Sequence, residues 1–200
     1  MKIINNYIIQ FDLTKTSKEN FINARNYYNN VHKDSFLLFT LVCFSFNNIL
    51  RFNSKNEFNT PIGKRDFNIS IQKNLVDFID KLQNKEYIFY FYNKDFKDIN
   101  VYKNSYVFCD PPYLISEATY NKLWNKNKEI ELLNYLDDLN NKKIKFGLTN
   151  VTKHKGKENE ILINWSKKYR IFDLNNNYIN CAYNKINKES KTSEVFVCNY

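Results

Sequence analysis

Residues 105–114 read SYVFCDPPYL. Four strand-forming residues, Tyr106, Val107, Phe108 and Cys109, run into Asp110, and Pro111, Pro112 and Tyr113 follow at once. Aromatic and β-branched residues favour the strand and the prolines end it, so Asp110 is expected at a strand's open end. In open α/β sheets, ligands bind beyond the carboxyl ends of the strands. A carboxylate there can accept a hydrogen bond from an exocyclic amine. A carbonyl preceding a proline ring can accept a second, and the prolines hold the backbone so that both acceptors point at one nitrogen. Tyr113 adds a flat face on which a nucleobase taken out of its helix can stack. The plainer alternative is that Asp-Pro-Pro does no more than terminate a strand.

The pattern on either side of this stretch alternates. Strands are expected at 87–92 (YIFYFY), 106–109, 144–150 (IKFGLTN), 169–174 and 194–200, with helices at about 127–141 and 157–168. Such alternation predicts α/β architecture with a largely parallel sheet. The N-terminal side reads differently. Ser17 is placed to cap a helix with Phe21, Ala24, Tyr28 and Val31 on one face, and Asp34 to cap a more buried helix over 35–47. Residues 51–67, punctuated by Pro61 and Gly63, read as an exposed hairpin, and Ser70 can cap a helix presenting Ile71, Leu75, Phe78, Ile79 and Leu82 on one side. The domain expectation is a helical lobe with its hairpin at 11–83 and an α/β portion at 84–200, residues 1–10 belonging to the N-terminal side.

Two hundred residues can bury a sizeable core without staples. Thirty Lys and Arg against 21 Asp and Glu give a formal net charge of +9, which suits a polyanionic partner but does not choose between DNA, RNA and an anionic membrane. About one residue in six is Asn, yet aromatics at 17% are dense throughout, so disorder is not expected. Cys43, Cys109, Cys181 and Cys198 are far apart with no CxxC pairing and read as reduced packing residues of a cytoplasmic protein, not as metal ligands. The longest apolar run, residues 36–46, is about half of what a bilayer span needs, and the N-terminus lacks a secretory pattern, so no membrane role is expected. His32 and His154 stand alone and read as surface residues.

The DPPY of residues 110–113 resembles the signature of amino-group nucleic acid methyltransferases that use S-adenosylmethionine. The stretch CFSFNNILRFNSKNEFNTPIGK, residues 43–64, resembles the target-recognition segment of Dam-like (D12 class) DNA adenine-N6 methyltransferases. KTSEVFVCNY, at the C-terminus, is similar to that family's closing strand, and with IKFGLTN and KGKENEILINWSKKY the likeness runs over essentially the whole chain. The resemblance implies an incomplete Rossmann-like class I methyltransferase sheet with helices on both faces, plus a helical DNA-recognition lobe with a β-hairpin.

By the same resemblance Asp110, Pro111, Pro112 and Tyr113 form the catalytic motif, meeting the flipped adenine and the reactive end of S-adenosyl-L-methionine. Asp95 and Phe96 correspond to positions near the cofactor, although Asp95 is equally a turn or N-cap carboxylate. Phe46 corresponds to an aromatic wedge, Asn47 to an amide beside the orphaned base, Ile49 and Pro61 to contacts with a thymine methyl, and Arg51 to a guanine-reading guanidinium. Asn53 falls in the same DNA-binding set, and Lys64 and Arg65 are expected at phosphates. Core packing is the competing reading of Phe46 and Ile49, and solvated surface that of Lys64 and Arg65. Tyr120 and Trp124 are placed to shape a lid, with helix packing the competing role of Trp124.

The implied activity is site-specific adenine-N6 methylation of duplex DNA, with GATC the target by analogy, of the kind found in restriction–modification. The alternative is a non-catalytic DNA-binding module or remnant. The family's Gly-rich cofactor loop has no counterpart among Gly63, Gly147 and Gly156, which lie too far apart to form one. The expectation is therefore a split or truncated enzyme, in which a second polypeptide supplies that loop and the first strands.

Overall fold

The computed structural model describes residues 1–116, 124–174 and 192–200. The chain forms two compact units, Met1–Tyr92 and Asn93–Tyr200.

The first unit is built from α1 (Lys2–Gln10), α2 (Lys18–Asn30), α3 (Ser35–Phe44) and α4 (Ile69–Gln83). Helix α1 was not anticipated, although Ile4, Tyr7, Ile8 and Phe11 follow the helical period and turn toward the core. The Ser17 hydroxyl accepts the Asn20 amide of α2, and Asp34 accepts the Leu37 amide of α3, the two caps expected. Helix α3 is apolar on most sides because it is central: Leu37, Leu41, Cys43 and Phe44 are buried, and it packs on both α1 and α2. Phe21, Ala24 and Tyr28 join that core, whereas Val31, expected on the same face, is exposed where α2 ends. Asn68, not Ser70, caps α4 by accepting the Ile71 amide at 3.1 Å.

The 45–63 segment forms a closed loop, pinned by isolated antiparallel bridges Ser45–Ile62 and Phe52–Phe58 and not by continuous strands. At its neck the Gly63 amide donates to the Phe44 carbonyl at 2.7 Å and the Phe46 amide to the Pro61 carbonyl at 2.9 Å. A Cβ on Gly63 would stand 2.4 Å from the Ser45 carbonyl oxygen, so only glycine permits this approach. Residues 87–92 are not the expected strand. They make no ladder pairing among the described residues, and their side chains stay exposed, with Phe89 at 47% and Phe91 at 78%. Strand propensity does not make a strand where no neighbour takes the backbone hydrogen bonds.

The second unit holds β1 (Tyr106–Cys109), α5 (Lys126–Asn141), β2 (Lys145–His154), β3 (Lys157–Glu158), α6 (Glu160–Ser166), β4 (Arg170–Leu174) and β5 (Ser193–Cys198). The sheet order is β1-β2-β5-β4, with β3 paired to the end of β2. Strands β1 and β2 are parallel, whereas β5 runs antiparallel to both its neighbours. The expected largely parallel sheet is thus corrected. Strands β1, β2 and β4 share a direction, but β5 enters between β2 and β4 in reverse, so most ladders are antiparallel.

The expected helix at 157–168 is shortened by a hairpin that the charged run KHKGKE conceals. Lys155 and Gly156, both at positive φ, turn the chain between paired His154 and Lys157, and α6 starts only at Glu160.

Leu132, Leu133, Leu136 and Leu139 of α5 and Leu162 of α6 bury Phe146 and Leu148 of β2 and Val195 and Val197 of β5. Among the described residues of this unit, α5 and α6 therefore lie on the same sheet face. The opposite face carries Tyr106, Phe108, Phe172 and Phe196, and Gly147 admits the Tyr106 and Phe196 rings where a Cβ would collide with them. No helix among the described residues is long and apolar enough to cross a membrane.

Gly63→Ala should lower unfolding free energy by about 1–3 kcal/mol, because the added methyl has only backbone to displace. Urea unfolding of the variant beside wild type checks this; an unchanged midpoint contradicts the neck geometry.

Candidate active site

Strand β1 ends at Cys109, and Asp110 stands exposed at its carboxyl end, as the sequence predicted. The register pairing Cys109 with Leu148 brings Thr149 beside Asp110, and the Thr149 hydroxyl donates to Asp110 Oδ1 at 2.9 Å. The Tyr113 hydroxyl lies 3.2 Å from the same oxygen and 3.0 Å from Oε1 of Glu194, which is only 7% exposed on β5. Burial, then the Glu194 and Asp110 carboxylates, raise the Tyr113 phenol well above its ordinary range. Asp110 Oδ2 makes no hydrogen bond among the described residues. The carboxylate is thus held through one oxygen, on a residue that is exposed. Pro111, Pro112 and Tyr113 are half-buried, and a cleft of about 330 Å³ begins at Leu114–Ser116 and continues along Lys126, Lys157 and Asn159.

On the opposite sheet face, the fully buried Glu129 of α5 accepts the Trp124 indole N–H at 2.7 Å and the Asn150 and Asn159 side-chain amides at 3.1 and 2.9 Å. A buried carboxylate is tolerable because it is so bonded. Trp124 is accordingly anchored to α5, the helix-packing role. Tyr120 lies outside the described residues.

Asp95 caps a single 3-10 turn, Phe96–Asp98. Its carboxylate accepts the Lys97 amide and lies 3.5 Å from Lys128 Nζ. Chiefly that backbone bond holds its pKa below the ordinary value. Phe96 packs edge-on against Tyr135, centroids 5.2 Å apart, so this pair is engaged with α5.

In the first unit, Phe46 and Ile49 are not core residues: they are 49% and 38% exposed, with Leu50 and Phe52 exposed nearby. Asn47 and Asn48 both adopt positive φ, which turns the chain out of α3, and Pro61, Lys64 and Arg65 are also exposed. Arg51 spends two of its five donors on Asn59, Nε on the side-chain oxygen at 2.8 Å and one Nη on the carbonyl at 2.9 Å. Asn53 organises the loop tip, its side chain accepting the Lys55 and Glu57 amides and donating to the Glu57 carboxylate. Arg65 reaches Asn48 at 3.5 Å.

Thr149, Glu194 and Glu129 were missed. Each is one polar residue in or beside an apolar run, a signal that acquires meaning only when register is known. Cys43, Cys109 and Cys198 are free thiols, and burial pushes Cys43 and Cys109 up to about 11, which keeps them protonated. No group of metal-ligating side chains occurs among the described residues.

The structure thus places a strand-end carboxylate, pinned by a threonine hydroxyl beside an aromatic ring, at the rim of an α/β sheet. The chain belongs to the D12 class N6 adenine-specific DNA methyltransferases, whose family profile matches residues 1–178. It is similar to the type II methyltransferase M.FokI of Planomicrobium okeanokoites, 42% identical over 204 residues, covering 96% of this chain and 31% of that relative. The modification methylase StsI of Streptococcus sanguinis is 37% identical over 206 residues, again 96% and 31%. A DNA adenine methylase of Haemophilus influenzae is 37% identical over 70 residues, 35% of this chain and 24% of the relative. The chain thus spans about a third of the length of the first two.

Glu129→Ala would strand three N–H donors in the interior, at about 1–3 kcal/mol for each that stays unpaired. Guanidinium unfolding followed by tryptophan fluorescence should show a midpoint well below that of wild type.

Proposed function

We propose that this chain supplies the amine-activating motif and the target-reading segment of an enzyme that transfers a methyl group from S-adenosyl-L-methionine to adenine N6 in duplex DNA. The geometry of Asp110 is the observation that carries this reading. With Oδ1 held by Thr149, Oδ2 is available to accept one N6 hydrogen, and the Pro111 carbonyl, fixed between two proline rings, to accept the other. An amine so held gains tetrahedral character and a directed lone pair. Tyr113 supports the extruded base by stacking, which offsets the few kcal/mol of unstacking. Nothing in this scheme requires a strongly basic side chain.

The residues present fit the cofactor's reactive end, since an exposed carboxylate stands at the strand terminus where a ligand binds. Bound there, S-adenosyl-L-methionine would supply an electrophilic methyl group. Asp110 would border it, with Asp95 and Phe96 toward its adenine; the commitment of the Asp95 carboxylate to Lys97 and Lys128 means that it would have to share those bonds. Strands that cover the exposed β1 edge, from a second polypeptide or from elsewhere in a longer chain, would bring the remaining cofactor contacts.

In the target-reading lobe, proposed at 11–83, Phe46, Asn47, Ile49 and Pro61 would meet the opened base pair and a thymine methyl. Asn53, Lys64 and Arg65 would meet the duplex backbone. Arg51 keeps three donors beyond its clasp on Asn59, enough for bidentate contact with guanine. GATC is the first sequence to test, and a role in restriction–modification in the cytoplasm follows from the same reading. The competing reading, a DNA-binding module without catalysis, draws support from the exposed apolar and basic surface of the lobe.

Asp110→Ala should reduce methyl transfer by roughly a hundredfold or more in the complete enzyme, as loss of a group acting mainly in the transition state does, while duplex affinity stays within about twofold. Tritium transfer from labelled S-adenosyl-L-methionine to GATC and single-base variant duplexes, beside a binding assay, decides between the readings. Equal transfer by wild type and variant removes the catalytic one. Arg51→Ala should weaken transfer most on duplexes that retain the recognised guanine.

A further inference from the structure

The Tyr113 hydroxyl has one hydrogen and faces two carboxylates, Asp110 Oδ1 at 3.2 Å and Glu194 Oε1 at 3.0 Å. It cannot donate fully to both at once. We infer that Glu194 is a positioning residue of this site: by accepting the Tyr113 proton it sets the pose of the aromatic ring and leaves Asp110 held by Thr149, with its acceptor strength intact. The inference rests on the reading of Asp110 and Tyr113 as the amine-binding pair.

Three observations support it. Glu194 is 7% exposed, where a hydrogen bond to a carboxylate is little weakened by solvent, and its contact with the Tyr113 hydroxyl, 3.0 Å against 3.2 Å, is the shorter of the two. Thr149 already donates to Asp110 Oδ1 at 2.9 Å, so that oxygen is satisfied without Tyr113. Strand register makes the arrangement stiff: Glu194 is paired with Val151 on one side and Leu174 on the other, and β2 has a bulge between Val151 and Lys153. Bulges beside a site re-aim side chains.

Were Glu194 absent, the Tyr113 proton would turn to Asp110. Its carboxylate would then take two hydroxyl donors on one oxygen, and a carboxylate so solvated accepts more weakly from a third group at Oδ2. The ring would also lose the anchor that fixes its tilt, and with it a preorganised stacking face.

The test uses Glu194→Gln, which is nearly isosteric, beside Glu194→Ala and Tyr113→Phe. In the full chain labelled with 3-fluorotyrosine, which brings phenol ionisation into a measurable range, the Tyr113 resonance is the fluorine signal lost in Tyr113→Phe. It should ionise at lower pH in both Glu194 variants than in wild type, because the carboxylate facing the phenolate is gone. In the complete enzyme, Glu194→Ala should lower kcat by roughly tenfold, the size of one hydrogen bond to a charged group, with KM for duplex unchanged; Gln, which can still accept the proton, should restore most of it.

In a Tyr113→Phe background the Glu194 variants should cost nothing more. An unmoved Tyr113 titration overturns the inference, as do Glu194 and Tyr113 effects that multiply independently. If the wild-type enzyme transfers no methyl group, the proposed function fails, while the fluorine titration still decides whether Glu194 holds Tyr113.

Discussion

Residues from three distant parts of the chain meet on one oxygen and its neighbour. Thr149 is 39 positions from Asp110, and Glu194 is 81 from Tyr113. What brings them together is the pairing of β2 with both a parallel β1 and an antiparallel β5. The first pairing places Thr149 alongside Asp110 at the open rim. The second returns the C-terminal strand through the middle of the sheet, so that Glu194 arrives at the same rim from the opposite direction. A side-chain period of two then places Asp110, Thr149 and Glu194 on the same sheet face. A one-residue slip in either ladder would turn one of them into the helix-covered core.

The two sheet faces divide the labour. On one, α5 and α6 bury a leucine-rich core whose polar content is concentrated in Glu129 and its three N–H donors. That network ties Trp124, the middle of β2 at Asn150 and the start of α6 at Asn159 to one carboxylate. The loops flanking the rim are thus fastened from beneath. On the other face aromatic residues stay open, and Gly147 keeps the surface low enough for the Tyr106 and Phe196 rings to lie across it. The buried core is therefore drawn from one side of the sheet, and Asp110, Thr149 and Glu194 lie on the other.

The first unit, Met1–Tyr92, follows a related logic. Its core is a central apolar helix, α3, and the chain leaving it is turned sharply by Asn47 and Asn48 at positive φ. Asparagine tolerates that region better than most residues, which suits a tight exit. The turn throws Phe46, Ile49 and Leu50 outward, and the neck at Gly63 closes the loop behind them. Of these exposed side chains, Phe46 and Ile49 are residues that the family resemblance singles out.

By itself the sequence determined the motif at 110–113, its place at the end of a strand, the capped helices at Ser17 and Asp34, and membership of the methyltransferase family. These rest on local chemistry: propensity, caps and a short rigid tetrapeptide. It misjudged the pieces that depend on neighbours. YIFYFY has the composition of a strand but no ladder partner among the described residues, Lys155-Gly156 turns a charged run into a hairpin, and β5 runs antiparallel between β2 and β4 where a largely parallel sheet was expected. Only the tertiary structure decided that Thr149 and Glu194 stand beside Asp110 and Tyr113. A lone Thr or Glu in an apolar run acquires its role from strand register, and register is a property of paired chains, not of residues read one after another.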